Sequence, residues 1–291
     1  MTTLRTTMDP RASGVVSSTG WRPVLGDALE RFVTADGTTH VRALAYESAF
    51  IILSGFIGIV GLANVVDAEV LRGVVQELGR TVSPGPTGRL LAQAAEQGAQ
   101  GGGIAALFGL GAALGSGTLA MAQVERSANR LAGSNEDRPI VRRYVVACAL
   151  AATVGVLLLL GALILGAGRA LPSGLGWTEE FLSVWAVVRW PVGVAIVALA
   201  VTLLYRFAPR QRLGPRSAVV GGSVVAVTLW VIFTGLLSLY FSFRSSSPYG
   251  SLVSIIALLV WSMLSSLALH LGIATACTLS GARRPRTRST G

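Results

Sequence analysis

Apolar residues in this chain fall into six long runs. They cover about Ala43–Ala63, Ile104–Ala122, Val145–Gly168, Val187–Tyr205, Ala218–Tyr240 and Ser251–Ala276, and the polar links between them carry arginine. A helix needs about 20 apolar residues to cross a hydrocarbon layer of about 30 Å. Each run is near or above that length. Inside lipid a backbone must satisfy its own hydrogen bonds, so every run is expected to be helical. The pattern predicts an all-α, polytopic membrane protein with six transmembrane helices.

The polar stretches complete the plan. Residues 1–20 are rich in Thr, Ser, Arg and Gly and read as a disordered tail. A short amphipathic helix follows. Pro23 suits its first turn, and Val24, Leu25, Ala28, Leu29, Phe32 and Val33 recur at helical spacing. Asp27, Glu30 and Arg31 take its other face, and Asp36-Gly37 ends it. Such a helix lies along the membrane surface or docks on the bundle. The first link between spans, about Asn64–Gly103, is the longest. Ala68–Leu78 and Arg89–Gln97 look helical within it, divided by Ser83-Pro84-Gly85-Pro86. A structureless loop of that length would be unusual, so a small helical extracytoplasmic cap is expected. Pro209 and Pro215 bracket a tight arginine-rich turn. The membrane domain is expected over residues 21–280, and residues 281–291 form a basic disordered tail.

Composition sharpens this picture. Of 291 residues, 52% are hydrophobic and 13% charged, with a mean hydropathy of +0.63. A soluble domain carries about 25% charged residues. The net charge of +10 comes from arginine without any lysine. Its distribution argues for membrane topology rather than for nucleic acid. With six spans both termini share a side. That side holds Arg5, Arg11, Arg22, Arg31 and Arg42, the group from Arg126 to Arg143, the group from Arg206 to Arg216, and the tail from Arg283 to Arg288. The other side holds only Arg72, Arg80, Arg89, Arg169, Arg189 and Arg244. Positively charged links stay in the cytoplasm, so a multi-pass protein of the cytoplasmic (inner) membrane with both ends cytoplasmic is expected. No apolar core follows an early basic cluster, so the first span is expected to stay as an uncleaved anchor. Cys148 and Cys277 show no metal spacing and no disulfide framework.

Polar residues inside the runs are the candidates for function. At 100° per residue, Glu47, Ser54, Gly58 and Gly61 share a face of span one. Ser223, Trp230, Thr234 and Ser238 align on span five. Ser251, Ser254, Ser262, Ser265 and Ser266 form a stripe on span six, with His270 at its margin. Such residues face protein. They serve either packing or a polar-lined cavity between spans one, five and six. Gly111 and Gly115 have the G-x-x-x-G spacing and are expected to pack within the subunit, with a dimer face as the alternative. Glu47 stands about 7 Å past Arg42 along the helix axis, with Arg42 and Arg206 as expected partners. A carboxylate there is either a structural pair or a group that handles substrate or protons. Arg189-Trp190-Pro191 is expected near an outer helix end, with Arg189 as an interfacial anchor and Pro191 starting or kinking the helix.

The order of short motifs along the spans resembles the YihY/BrkB family of bacterial inner-membrane proteins, over about Trp21 to Ala276. The matching residues are Ala43-Leu44-Ala45-Tyr46, Ala128-Asn129-Arg130, Arg138-Pro139, Arg142-Arg143 and Leu204-Tyr205-Arg206 with Pro209. The series continues with Gly221 or Gly222, Trp230, Tyr240, Tyr249-Gly250-Ser251-Leu252 and Trp261. Two features depart from the family. Ser54-Gly55 stands where many members have a proline, and Leu271-Gly272 is followed by Ile273 rather than by a glutamate one step on. No role that needs that carboxylate transfers to this chain.

The resemblance implies a six-helix membrane protein that transports a lipid or another amphipathic molecule. The substrate path would involve Glu47, Ser54, Tyr205, Arg206, Ser262 and Ser266. The alternative is a non-catalytic membrane assembly or interaction protein. Part of the family has carried a ribonuclease label. Such chemistry needs clustered carboxylates or histidines, whereas Glu125, Glu136 and Asp137 share a link with five arginines and are expected to form solvated ion pairs. No enzymatic activity is therefore expected, and a Walker A loop is absent because it needs lysine. No cofactor or metal is implied. Membrane lipids and a small amphipathic substrate are the expected partners, and nucleic acid is not. The arginine bias predicts that a reporter active only in the cytoplasm is active when fused at either end. Activity at one end alone would overturn the orientation.

Overall fold

Among the described residues every regular element is a helix, as the six apolar runs require. The computed structural model describes residues 21–66, 87–134, 136–166, 178–211, 213–242 and 250–281. The helices are α1 (Trp21–Thr34), α2 (Gly37–Val65), α3 (Thr87–Leu131), α4 (Ile140–Gly166), α5 (Glu179–Phe207), α6 (Arg216–Ser242) and α7 (Gly250–Leu279). Six of them, α2 to α7, contain stretches long and apolar enough to span a membrane. The two terminal tails, Ala68–Leu78, Ser83–Pro86, the Ser245–Pro248 turn and Tyr249 lie outside the described residues.

Most helices run beyond the apolar runs that predicted them. α3 continues past Ala122 to Leu131, because Val124, Ala128 and Leu131 carry on the helical spacing and bury. α5 starts at Glu179, two turns before Val187, so Pro191 falls inside the helix and does not begin it. Arg89–Gln97 is helical as expected, within the first part of α3. Gly102 then breaks α3 with φ 50° and ψ −126°. That conformation is open to glycine and strained for other residues, so one glycine turns the link helix into the span.

Glycine also decides which helices approach most closely. A Cβ at Gly58 would stand 2.5 Å from the Leu110 nitrogen, and one at Gly61 2.5 Å from the Ala106 nitrogen. Gly109 reciprocates against the backbone of Gly58. α2 and α3 thus meet backbone to backbone, an arrangement that small residues permit in lipid. α6 and α7 do the same at Gly222 and Gly272, where a Cβ on Gly222 would lie 2.5 Å from the Gly272 carbonyl oxygen. The expectation for Gly111 and Gly115 is corrected. Both are exposed, and nothing lies within 4 Å of a Cβ at either. The α3 face that packs is the one with Gly109 and Gly117, and Gly111 and Gly115 are turned off it by the helical period.

α1 docks on the bundle through Ala28, Arg31 and Phe32, while Leu25, Leu29 and Val33 stay uncovered. The Arg31 guanidinium donates to the Leu131 carbonyl at 2.9 Å. Asp36 turns the chain into α2 with φ 55°. The main buried cluster lies at this end of the bundle and includes Phe32, Val124, Leu131, Leu204, Ile273 and Cys277.

The α2–α3 contact predicts a contrast. Gly109→Ala should cost about 1–3 kcal/mol of stability, the usual effect of overpacking, while Gly111→Ala should cost nothing measurable. Thermal unfolding of the two variants in detergent checks this, and equal losses would contradict the crossing.

Candidate functional site

Polar side chains gather in two places. The first is the arginine-rich end, where the links 132–139 and 208–215 meet. The last turn of a helix leaves carbonyls without partners. At the end of α5 the Arg138 guanidinium fills that need. It donates from Nη1 to the Ala208 oxygen at 2.6 Å, and from Nη2 to the oxygens of Pro209 at 2.9 Å and Phe207 at 3.2 Å. Nη1 also lies 3.1 Å from Glu125 Oε2. The Glu125 side chain is only 3% exposed, so the carboxylate depends on that cation.

Asn129 ties the same two links from α3. Its amide donates to Asp137 Oδ1 at 3.2 Å, and its oxygen accepts the Arg210 backbone N–H at 3.0 Å. Arg143 holds Asp137 at 3.1 Å, and Arg210 reaches Glu136 at 3.5 Å. The expectation of ion pairs is met, but Glu125 is buried and not solvated. The motif residues Asn129, Arg138, Arg143 and Pro209 converge here, whereas Arg130 is exposed. Tyr46, another motif residue, faces outward at 70% exposure.

The second place is the seam of α2, α3 and α7. His270 on α7 is fully buried. Its Nδ1 lies 2.8 Å from the Ser266 carbonyl, which makes that nitrogen the donor, and its Nε2 lies 3.1 Å from Ser127 Oγ of α3. The His40 ring of α2 stacks on it with centroids 6.4 Å apart. Arg126 donates to Gln123 Oε1 at 2.9 Å, so the Gln123 amide N–H points at His40 Nδ1, 2.8 Å away. His270 stood out in the sequence, but its pairing with His40 and the role of Gln123 did not. The signal was present in α3, where Gln123 and Ser127 lie one turn apart.

Above His270 the serines of α7 behave unusually. Hydroxyls in membrane helices commonly donate to the carbonyl one turn back. Ser48, Ser54, Ser223, Thr202 and Thr275 do so here. The Oγ atoms of Ser262, Ser265 and Ser266 are buried with no hydrogen-bond partner. Ser262 is 1% exposed and Ser266 2%. Of the other polar stripes, Ser223 is buried, and Thr234 accepts from Trp261 Nε1 at 3.1 Å, joining α6 to α7.

Glu47 shares the face of α2 that carries His40, because seven residues make nearly two turns. It stands about 10 Å beyond His40 toward the middle of the bundle. α7 descends against α2, so Ser266 and Ser262 stand about 6 and 12 Å beyond His270. Glu47 is therefore level with Ser262. It is half-buried and makes no hydrogen bond or ion pair among the described residues. The expected pairing with Arg42 or Arg206 is thus corrected: Arg42 is exposed and Arg206 half-buried, and neither reaches it.

The remaining candidates scatter. Ser54 lies on the α2–α3 crossing, its carbonyl against Gly109, so the part of its stripe from Ser54 to Gly61 faces α3 and not α6. Tyr205 is buried and donates to the Leu269 carbonyl at 2.6 Å, strapping α5 to α7. Arg189 places its guanidinium 5.6 Å from the Trp190 ring centre. Both cysteines are free, Cys148 exposed and Cys277 buried.

Six apolar spans, glycine crossings and charge confined mainly to the links define a polytopic helical membrane protein. The chain belongs to the virulence factor BrkB family, whose pattern matches residues 28–291. It is similar to a putative ribonuclease-like protein, YfkH, of Bacillus subtilis (strain 168), at 36% identity over 171 residues, which is 57% of this chain and 62% of that one. It is also similar to a UPF0761 membrane protein of Alteromonas mediterranea, at 26% identity over 56% of this chain and 55% of the relative. A UPF0761 membrane protein of Idiomarina loihiensis shares 32% identity over 40% of this chain and 43% of its own length. The chain thus spans about half of the length of these relatives. No solved structure matches it.

The clasp predicts a specific loss. Arg138→Ala leaves Glu125 buried without a counter-charge and should cost about 3–5 kcal/mol of stability. Adding Glu125→Gln should recover part of it, measured by thermal unfolding. An additive double mutant would mean that the two residues do not act as a pair.

Proposed function

We propose that this protein moves a lipid or another amphipathic molecule across the bacterial cytoplasmic membrane, with both termini in the cytoplasm. The observation that carries the reading is the polar seam of α2 and α7. Glu47 and the hydroxyls of Ser262, Ser265 and Ser266 stand within the spans without hydrogen-bond partners among the described residues. Such groups are costly in a bilayer and usually mark substrate or ion pathways. The arginine-rich end supports the same reading. Arg206 and the exposed Arg42, Arg130 and Arg142 lie where an anionic headgroup would arrive, and guanidinium recognises phosphate well. The arginine bias supports a cytoplasmic position for that end.

On this reading the chain is not an enzyme. The acidic side chains that a nuclease would use are held by guanidinium groups, Glu125 by Arg138, Asp137 by Arg143 and Glu136 by Arg210. The ribonuclease-like name belongs to the Bacillus relative.

Liposomes containing the purified protein test the proposal. Fluorescent phospholipids and lysolipids should cross faster than in protein-free vesicles. Glu47→Gln should slow them about tenfold, equivalent to about 1.4 kcal/mol at the highest barrier. Rates equal to empty vesicles for every amphiphile would sink the transport reading.

A further inference from the structure

We infer that the seam between α2 and α7 is a binding site for a monovalent cation, built from Glu47, Ser262, Ser265 and Ser266. Three buried hydroxyls with free lone pairs in one and a half turns of helix are an unsatisfied donor set. The other membrane hydroxyls named above satisfy themselves on their own helix, so this stretch differs in what surrounds it and not in residue type. Hydroxyl and carboxylate oxygens are hard ligands that suit alkali and alkaline-earth ions. Glu47 supplies a single negative charge at their level. One carboxylate with neutral oxygens balances one positive charge, and in a low-dielectric interior a balanced site is favoured over a charged one. Ser262 and Ser266 are 1% and 2% exposed, so an ion bound at their oxygens would be shielded from solvent. An anion is excluded by the carboxylate.

The cation is sodium held by the oxygens or a proton carried on Glu47. Tyr46, beside Glu47, faces outward. The other charged or titratable groups described near the seam stand toward the arginine-rich end: Asp36 and His40 of α2, Arg126 and Arg130 of α3, Tyr205 of α5 and His270 of α7. α1 brings Arg31 near Cys277 at the same end, and α6 carries only Arg216 and Tyr240, at its two ends. Glu47 is thus the single acid at the level of Ser262 among the described residues. The inference rests on the transport reading for its purpose, because it assigns the carboxylate and hydroxyls of the seam to an ion coupled to that transport.

Full-length protein in nanodiscs, without added amphiphile, provides the test. Thermal unfolding is followed in sodium, potassium and choline chloride at equal ionic strength, and in choline on acidification. Sodium should raise the midpoint in a saturable way that choline does not, or acid should raise it in choline if the proton is the guest. The response should vanish in Glu47→Gln. In the Ser262→Ala/Ser266→Ala pair a sodium response should need about tenfold more ion, and an acid response should shrink. Ser262→Thr keeps a hydroxyl and should keep the response, which separates a lost ligand from a damaged fold. No response of the wild type to any cation or to acid overturns the site, and so does a response unchanged in Glu47→Gln or in the serine pair. Because no amphiphile is present, a failed flux assay leaves this result standing, and a cation-insensitive protein that still moves lipid refutes the site alone.

Discussion

The Arg138 guanidinium does more to set this architecture than any other side chain. A helix that ends at a membrane face exposes carbonyls that lipid cannot satisfy. At the end of α5 three such carbonyls converge on one guanidinium, whose planar fork offers five donors. The same group neutralises Glu125 of α3. One cation therefore joins the link after α3 to the link after α5. A lysine there would supply charge without the fork and could not serve three carbonyls and a carboxylate together. With those links fixed, Tyr205 sits two residues from the end of α5, where its hydroxyl reaches Leu269, and α7 is held against α5.

Much of this was legible in the sequence, because lipid makes few exceptions. Twenty apolar residues leave the backbone little choice but helix, so the six spans were plain. The facing of the stripes was legible too, since Ser223, Ser254, Ser262 and His270 have less favourable places outside than inside. What escaped was decided between helices. Gly111 and Gly115 have the spacing of a packing motif, yet Gly109 meets Gly58, because the crossing point follows from the whole α2–α3 contact and not from one helix's pattern. Glu125 looked solvated because it follows the apolar run within a charged stretch. Its burial depends on α5, more than seventy positions away, bringing carbonyls to Arg138. The start of α5 was missed because Glu179, Glu180 and Arg189 broke up an apolar pattern that the helix itself ignores.

The polar groups of the bundle sort by depth. Near the arginine-rich end every acid of the α3–α4 link has a cation, and His40 and His270 are held by Gln123, Ser127 and a backbone carbonyl. Farther along the same seam, Glu47, Ser262, Ser265 and Ser266 have no such partners among the described residues. Water is scarcer there, so the imbalance runs against what stability alone would favour. A bundle built only to persist would place alanine at 262 and 266 and an apolar residue at 47, and would lose nothing in packing. The glycine crossings on both sides do not explain the difference. They bring α2 against α3 and α6 against α7 but leave the serine face of α7 to the region between. On the proposed reading, these oxygens are kept at depth for a guest. The clasp holds α5, and through the Tyr205 hydroxyl α7, about one to two turns from the serine stretch.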